Sequence, residues 1–176
     1  MSVFLIILGV LLFAGAIGLL FKQQMLSPIA SWAGLTCIWL SETLPLNSTI
    51  IVGWLGMTLL VMAATWLQPD AIKQQTKGVG YMTIGGITGM SIGILGYSLT
   101  NSLSLLYGIM IAATAFGVCL GYMLFTNTPQ GQKVNIRSGH FLTYLSAKGF
   151  PVGITIMQIG ITLVLMLAIS NSYWYE

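Results

Sequence analysis

Side chains able to do acid–base, nucleophilic or metal chemistry are few and scattered. The chain has one histidine, His140, two cysteines, Cys37 and Cys119, and three carboxylates, Glu42, Asp70 and Glu176. A general base needs a partner and a pocket, and His140 has no second His, Cys or carboxylate in its own segment. The cysteines fall in separate apolar runs, form no CxxC pair and read as small apolar core residues. No GxSxG, HExxH, P-loop or dinucleotide fingerprint occurs. These residues predict a protein that is not an enzyme, with no catalytic residues, no metal site and no cofactor.

The spacing that does stand out is that of small residues. Gly85, Gly89 and Gly93 recur every four positions, with Gly86, Ser91 and Gly96 nearby. Ala113, Gly117 and Gly121 repeat the same interval further on. In a helix this interval puts all three on one face, where another backbone can approach closely. The six residues therefore predict a helix-packing or partner interface. Seven glycines between Gly78 and Gly96 also weaken that helix and predict a bend or break in it. Gln158 is the only carboxamide deep inside an apolar run and predicts a polar intramembrane contact. Thr58, Thr83, Thr88, Ser91 and Thr114 can bond back to their own helices.

The elements that must position these residues are membrane-spanning helices. The hydrophobic fraction is 56% and the mean hydropathy is +0.92, far above soluble globular values. Only six Lys or Arg and three Asp or Glu occur, and none lies inside a long apolar run. Charges are costly in hydrocarbon, so this placement marks a multispanning protein and argues against ion coupling. Six runs approach the roughly 20 residues a span needs: Val3–Phe21, Met25–Leu40, Thr49–Leu67, Val79–Leu99, Leu103–Phe125 and Phe150–Ile169. The second is short and carries Pro28 in its first turn, where no donor is required. No basic region precedes Val3, so the first run is expected to be a span rather than a cleaved signal.

The cations order these runs. Lys22 lies between the first and second runs, Lys73 and Lys77 between the third and fourth, and Lys133, Arg137 and Lys148 between the fifth and sixth. With six spans all six cations share one face, which the positive-inside rule makes cytoplasmic or matrix-like. Loops 22–24, 68–78 and 126–149 are then inside and both termini opposite. If Met25–Leu40 were only interfacial, five spans would remain and Lys22 would change sides. Glu42 and Asp70 fall on opposite faces and cannot act as a pair. A net charge of +3 spread over loops is a topology signal rather than a nucleic-acid footprint.

The loops are small. Ser138–Lys148 reads as a short amphipathic helix on the inner surface, with Phe141, Leu142 and Leu145 on one face. Gly149-Phe150-Pro151 is expected to break it before the last span. Tyr173, Trp174 and Tyr175 read as an interfacial belt, and Trp39, Trp66 and Tyr122, near span ends, as anchoring and packing residues. Asn47-Ser48-Thr49 is a glycosylation sequon.

The resulting expectation is an all-α polytopic bundle, residues 1–176 as one transmembrane domain. It has six transmembrane helices (five possible) in three hairpins, plus the interfacial helix near 138–148. Its partners are the lipid bilayer and other integral membrane subunits or further copies of itself, with no nucleic acid. Its setting is a bacterial cytoplasmic membrane or an organelle inner membrane. The function expected is that of a non-catalytic subunit of a larger membrane assembly in secretion, translocation, respiration or envelope machinery. The alternative is a channel or facilitator for a small uncharged solute.

Overall fold

The computed structural model describes residues 2–44, 46–68, 77–96, 103–133 and 141–172. Helix α1 spans Ser2–Lys22, α2 Ser27–Leu40, α3 Ser48–Trp66, α4 Val79–Leu95 and α5 Leu103–Thr126. Short helices α6, Pro129–Lys133, and α7, Phe141–Tyr144, follow. A π-helical turn, Leu145–Gly149, joins α7 to the last helix, α8, Phe150–Ser172. No strand occurs among the described residues.

Among the described residues four helical stretches are long and apolar enough to cross a bilayer: Val3–Lys22, Ser48–Trp66, Leu105–Thr126 and Leu142–Leu167. The protein is accordingly an all-helical integral membrane protein. Two expected spans are shorter as helices. Helix α2 has 14 residues, or about 21 Å at 1.5 Å per residue. Helix α4 has 17, or about 26 Å. Pro28 sits in the first turn of α2, as expected. Asn47 of the sequon caps α3, its Oδ1 accepting from the Thr49 N–H at 3.2 Å. The glycine-rich α4 is unbroken from Val79 to Leu95, against the expected break. Packing along α5 supports a helix that its glycine content alone disfavours.

The helices are arranged around α8. Its span is 72% buried, against 22% for α1, 22% for α3 and 39% for α5, so α8 is the core and the others form its wall. It touches α1, α2, α3, α4 and α5. The outer helices pair as α1 with α2 and α4 with α5. Helix α3 lies against α2, α8 and the π-helical turn rather than along α4. The middle one of the three expected hairpins is therefore not a closely packed pair.

The interfacial helix expected near 138–148 is different in the structure. From Phe141 onward the chain is helical and runs without a break into α8, as one apolar stretch, Leu142–Leu167. Pro151 does not restart the helix. The π-helical turn just before it changes the hydrogen-bond register, and the Phe150 N–H reaches the Leu145 carbonyl. That shift lets a helix continue past a residue with no N–H. Tyr144, Ala147 and Lys148 are buried within the bundle rather than laid on a surface, while Leu142 is 74% exposed. Ser138 and His140 lie outside the described residues, as do Asp70, Lys73, Arg137 and the Tyr173–Tyr175 belt.

Candidate functional site

All six small residues singled out in the sequence meet in one seam between α4 and α5. The register is antiparallel: Tyr81 faces Gly121, Gly85 faces Gly117, Gly89 faces Ala113 and Gly93 faces Met110. A Cβ added at Gly85 would overlap the Gly117 carbonyl and lie 3.2 Å from the Gly121 Cα. One added at Gly89 would overlap the Ala113 carbonyl, and one at Gly93 would lie 2.8 Å from the Met110 Cα. Gly117 and Gly121 are equally closed, against the Gly85 and Tyr81 carbonyls. These opposing atoms are backbone, which cannot swing aside as a side chain can. Backbone contact of this kind supplies dispersion and Cα–H···O attraction where no hydrophobic effect separates helix from lipid.

Along its lipid-facing side the same seam forms the floor of an apolar groove of about 560 Å³. Gly85, Gly89, Ala113, Gly117 and Gly121 make the floor, and exposed Ile84, Ile92, Phe116, Leu120 and Leu124 make the walls. The small residues thus serve two surfaces at once. One side closes α4 on α5, and the other leaves a channel-shaped depression in the bundle's exterior.

Gln158 is fully buried at the centre of α8. Its Nε2 donates to Thr58 Oγ1 of α3 at 2.9 Å, and its Oε1 accepts from the Ser31 hydroxyl of α2. One turn away, Ser27 and Thr155 share a hydrogen bond of 2.9 Å, and Ser27 also reaches the Ala16 carbonyl of α1 at 2.8 Å. Four helices are therefore tied by one polar spine. Ser27, Ser31 and Thr155 were not legible as partners, because a serine or threonine in an apolar helix is read first as bonding to its own backbone. That reading does hold for Thr58, Thr83, Thr88, Ser91 and Thr114, each of which donates to the carbonyl four residues earlier at 2.7–2.9 Å.

A second close crossing escaped the sequence. A Cβ at Gly9 of α1 would lie 2.9 Å from the Gly34 carbonyl of α2, and one at Gly34 would lie 2.9 Å from the Gly9 carbonyl. Each helix contributes a single glycine here, so no repeat announces it. Of the two roles expected for Tyr122, anchoring and packing, it takes the second. It is fully buried and stacks on Tyr144, with ring centroids 5.3 Å apart. Trp39 and Trp32 bridge α2 to the next segment, donating to the Leu46 and Ile51 carbonyls at 2.8 and 3.1 Å.

At the end of the bundle that carries Lys22, a cavity of about 400 Å³ is walled by Lys22, Gln24, Thr65 and Lys148. Gln24 is 6% exposed, and neither its Oε1 nor its Nε2 has a hydrogen-bond partner. An unsatisfied buried amide group costs about 1–3 kcal/mol, so this one is a departure from ordinary packing. Cys37 and Cys119 are half-buried free thiols. Among the described residues no three His, Cys, Asp or Glu side chains gather as a metal site would require.

No protein-family model, curated protein or solved structure matches the chain.

Proposed function

We propose that this protein is a non-catalytic subunit of a larger membrane assembly, and that it docks a partner transmembrane helix in the α4–α5 groove. The observation carrying this reading is that groove: a glycine and alanine floor between bulky apolar walls on the outside of the bundle. In lipid, small residues let a neighbouring helix come close enough for dispersion to favour it over acyl chains. The rest of the chain offers little to a soluble ligand, since its charges are few and its described loops short.

The reading includes six crossings. Helix α2 is too short to cross alone at full bilayer thickness. Local thinning of the bilayer accommodates the mismatch. The cationic ends then face the cytoplasm or matrix and both termini face away, in a bacterial cytoplasmic or organelle inner membrane. Secretion, translocation, respiratory and envelope machineries all have places for such a subunit.

The alternative, a facilitator for a small uncharged solute, would draw on the polar spine. Gln158, Ser31, Thr58, Ser27 and Thr155 already bond to one another across the helices, which favours a packing role. Native purification in mild detergent tests the main reading. A co-purifying membrane protein in fixed ratio supports it; a stable, monodisperse monomer that carries solute in liposomes favours the alternative.

A further inference from the structure

We infer that the protein thins one bilayer leaflet, the one at its Lys22 end beside the start of α2, and that the lipids it fits there have short or loosely packed acyl chains. The inference rests on the reading that α2 crosses the membrane. It adds where that crossing falls short and what fills the gap.

The register between α1 and α2 places the shortfall. The Ser27 hydroxyl donates to the Ala16 carbonyl at 2.8 Å, and Gly9 and Gly34 close against each other's carbonyls. Seven residues separate Gly9 from Ala16 and seven separate Ser27 from Gly34, so both contacts belong to one antiparallel register. In that register Leu40, the last residue of α2, is level with Val3 near the start of α1. Ser27, the first, is level with Ala16, six residues short of Lys22. Six residues rise about 9 Å. The stretch Val3–Lys22 has 20 residues, or about 30 Å, which is the thickness of a hydrocarbon core. Helix α2 therefore crosses one leaflet in full and stops about 9 Å inside the other. The neighbouring helix α3 gives the same answer. Ser31 and Thr58 both bond to Gln158, and beyond that level α2 continues only four residues while α3 continues eight, to Trp66.

Polar groups occupy the space that α2 leaves. Lys22 and Gln23 are exposed on the turn that climbs from α1 to α2. That turn is held by the Leu26 N–H on the Gln23 carbonyl at 3.0 Å and the Ser27 N–H on the Gln24 carbonyl at 3.3 Å. Such non-helical backbone is tolerated at membrane depth only where protein covers it or water reaches it. A cavity of about 400 Å³ lies at this place, lined by Lys22, Gln23, Met25, Leu26 and Thr65. It has room for several waters, since one occupies roughly 30 Å³ in the liquid. A leaflet meets a recess of this kind by lowering its headgroups toward the start of the short helix, and thin hydrocarbon does so at least cost.

The full-length protein lacking Cys37 and Cys119 is spin-labelled through Leu26→Cys or Leu60→Cys and placed in dioleoyl phosphatidylcholine vesicles. Both positions are exposed, at 44% and 60%. By helix rise they lie at matched depth, about 8–9 Å inside the levels of Lys22 and Trp66. Paramagnetic relaxation by oxygen, which concentrates in hydrocarbon, is compared with relaxation by a water-soluble nickel chelate. Position 26 is expected to favour the chelate several-fold over position 60. In parallel, the unsubstituted protein is unfolded thermally in phosphatidylcholine vesicles with myristoleoyl, oleoyl or erucoyl chains. The midpoint is expected to be highest in the short-chain lipid and about 5 °C or more lower in the long-chain one. Equal chelate access at the two positions, or a midpoint that is flat or rises with chain length, would overturn the inference. Maleimide labelling of Gln23→Cys and Glu42→Cys separates the two ways it can fail. Labelling from one side removes the crossing on which it rests, whereas labelling from opposite sides with a dry position 26 removes the thinning alone.

Discussion

Gly85 and Gly117 face each other so closely that a methyl group on either would overlap the other's carbonyl oxygen. The relationship is reciprocal and backbone to backbone, so neither helix can yield without the pair separating. Gly85→Ala and Gly117→Ala should each destabilise the protein by about 1–3 kcal/mol, the usual cost of overpacking. Gly53→Ala and Gly56→Ala on α3 meet open space and are expected to be neutral or stabilising by up to about 1 kcal/mol through helix propensity. Thermal or denaturant unfolding of the four variants checks this. Equal responses at the two sets of positions would show that the seam is not closed as the structure has it.

The polar spine gives a less obvious prediction. Gln158→Leu removes the hub but strands nobody. Thr58 still donates to the Trp54 carbonyl at 2.8 Å, and Ser31 can still donate to the Pro28 carbonyl at 3.0 Å. Ser31→Ala, in contrast, leaves the buried Gln158 Oε1 without its donor. The smaller change should therefore cost more: about 1–3 kcal/mol for Ser31→Ala and about 1 kcal/mol or less for Gln158→Leu. Unfolding measurements on both variants decide it, and the reverse order would mean that Ser31 is not the partner of Gln158.

The sequence made parts of this architecture legible and hid others for physical reasons. The α4–α5 seam was readable because three small residues at four-residue spacing on each helix leave few uses other than close approach. The Gly9–Gly34 crossing was not, since a lone glycine in an apolar helix carries no spacing signal. The central place of α8 was also hidden. Helices α3 and α8 are both strongly apolar, and each carries a polar side chain of the Thr58–Gln158 bond, so neither sequence marks which of the two the others surround. Pro151 misled for a definite reason. Proline ordinarily ends or kinks a helix, but the π-helical turn before it absorbs the missing N–H.

Topology follows from six crossings and can be checked directly. In a variant lacking Cys37 and Cys119, a cysteine placed at Gln23 should be labelled by an impermeant maleimide from the cytoplasmic side. One placed at Glu42 should be labelled from the opposite side, because α2 and the segment after it lie between them. Labelling of both from the same side would reduce the count to five and leave α2 as a re-entrant or interfacial helix.

The groove itself can be filled without touching the bundle's interior. Thr88 lines it, is exposed, and spends its hydroxyl on the Ile84 carbonyl of its own helix. Thr88→Trp should therefore leave the stability of the isolated protein within about 0.5 kcal/mol. It should also abolish co-purification of the partner. Retained assembly with an intact fold would move the interface elsewhere.

The most direct test is photo-crosslinking in native membranes from an unnatural amino acid at Phe116 on the groove wall, compared with one at Val52 on α3. Both positions are about 65% exposed, so lipid alone would treat them alike. A docking surface predicts one discrete protein adduct from position 116, lost in the Thr88→Trp background, and none from position 52. Adducts only to lipid at both positions, or the same protein adducts at both, would contradict the claim that the α4–α5 groove holds a partner helix.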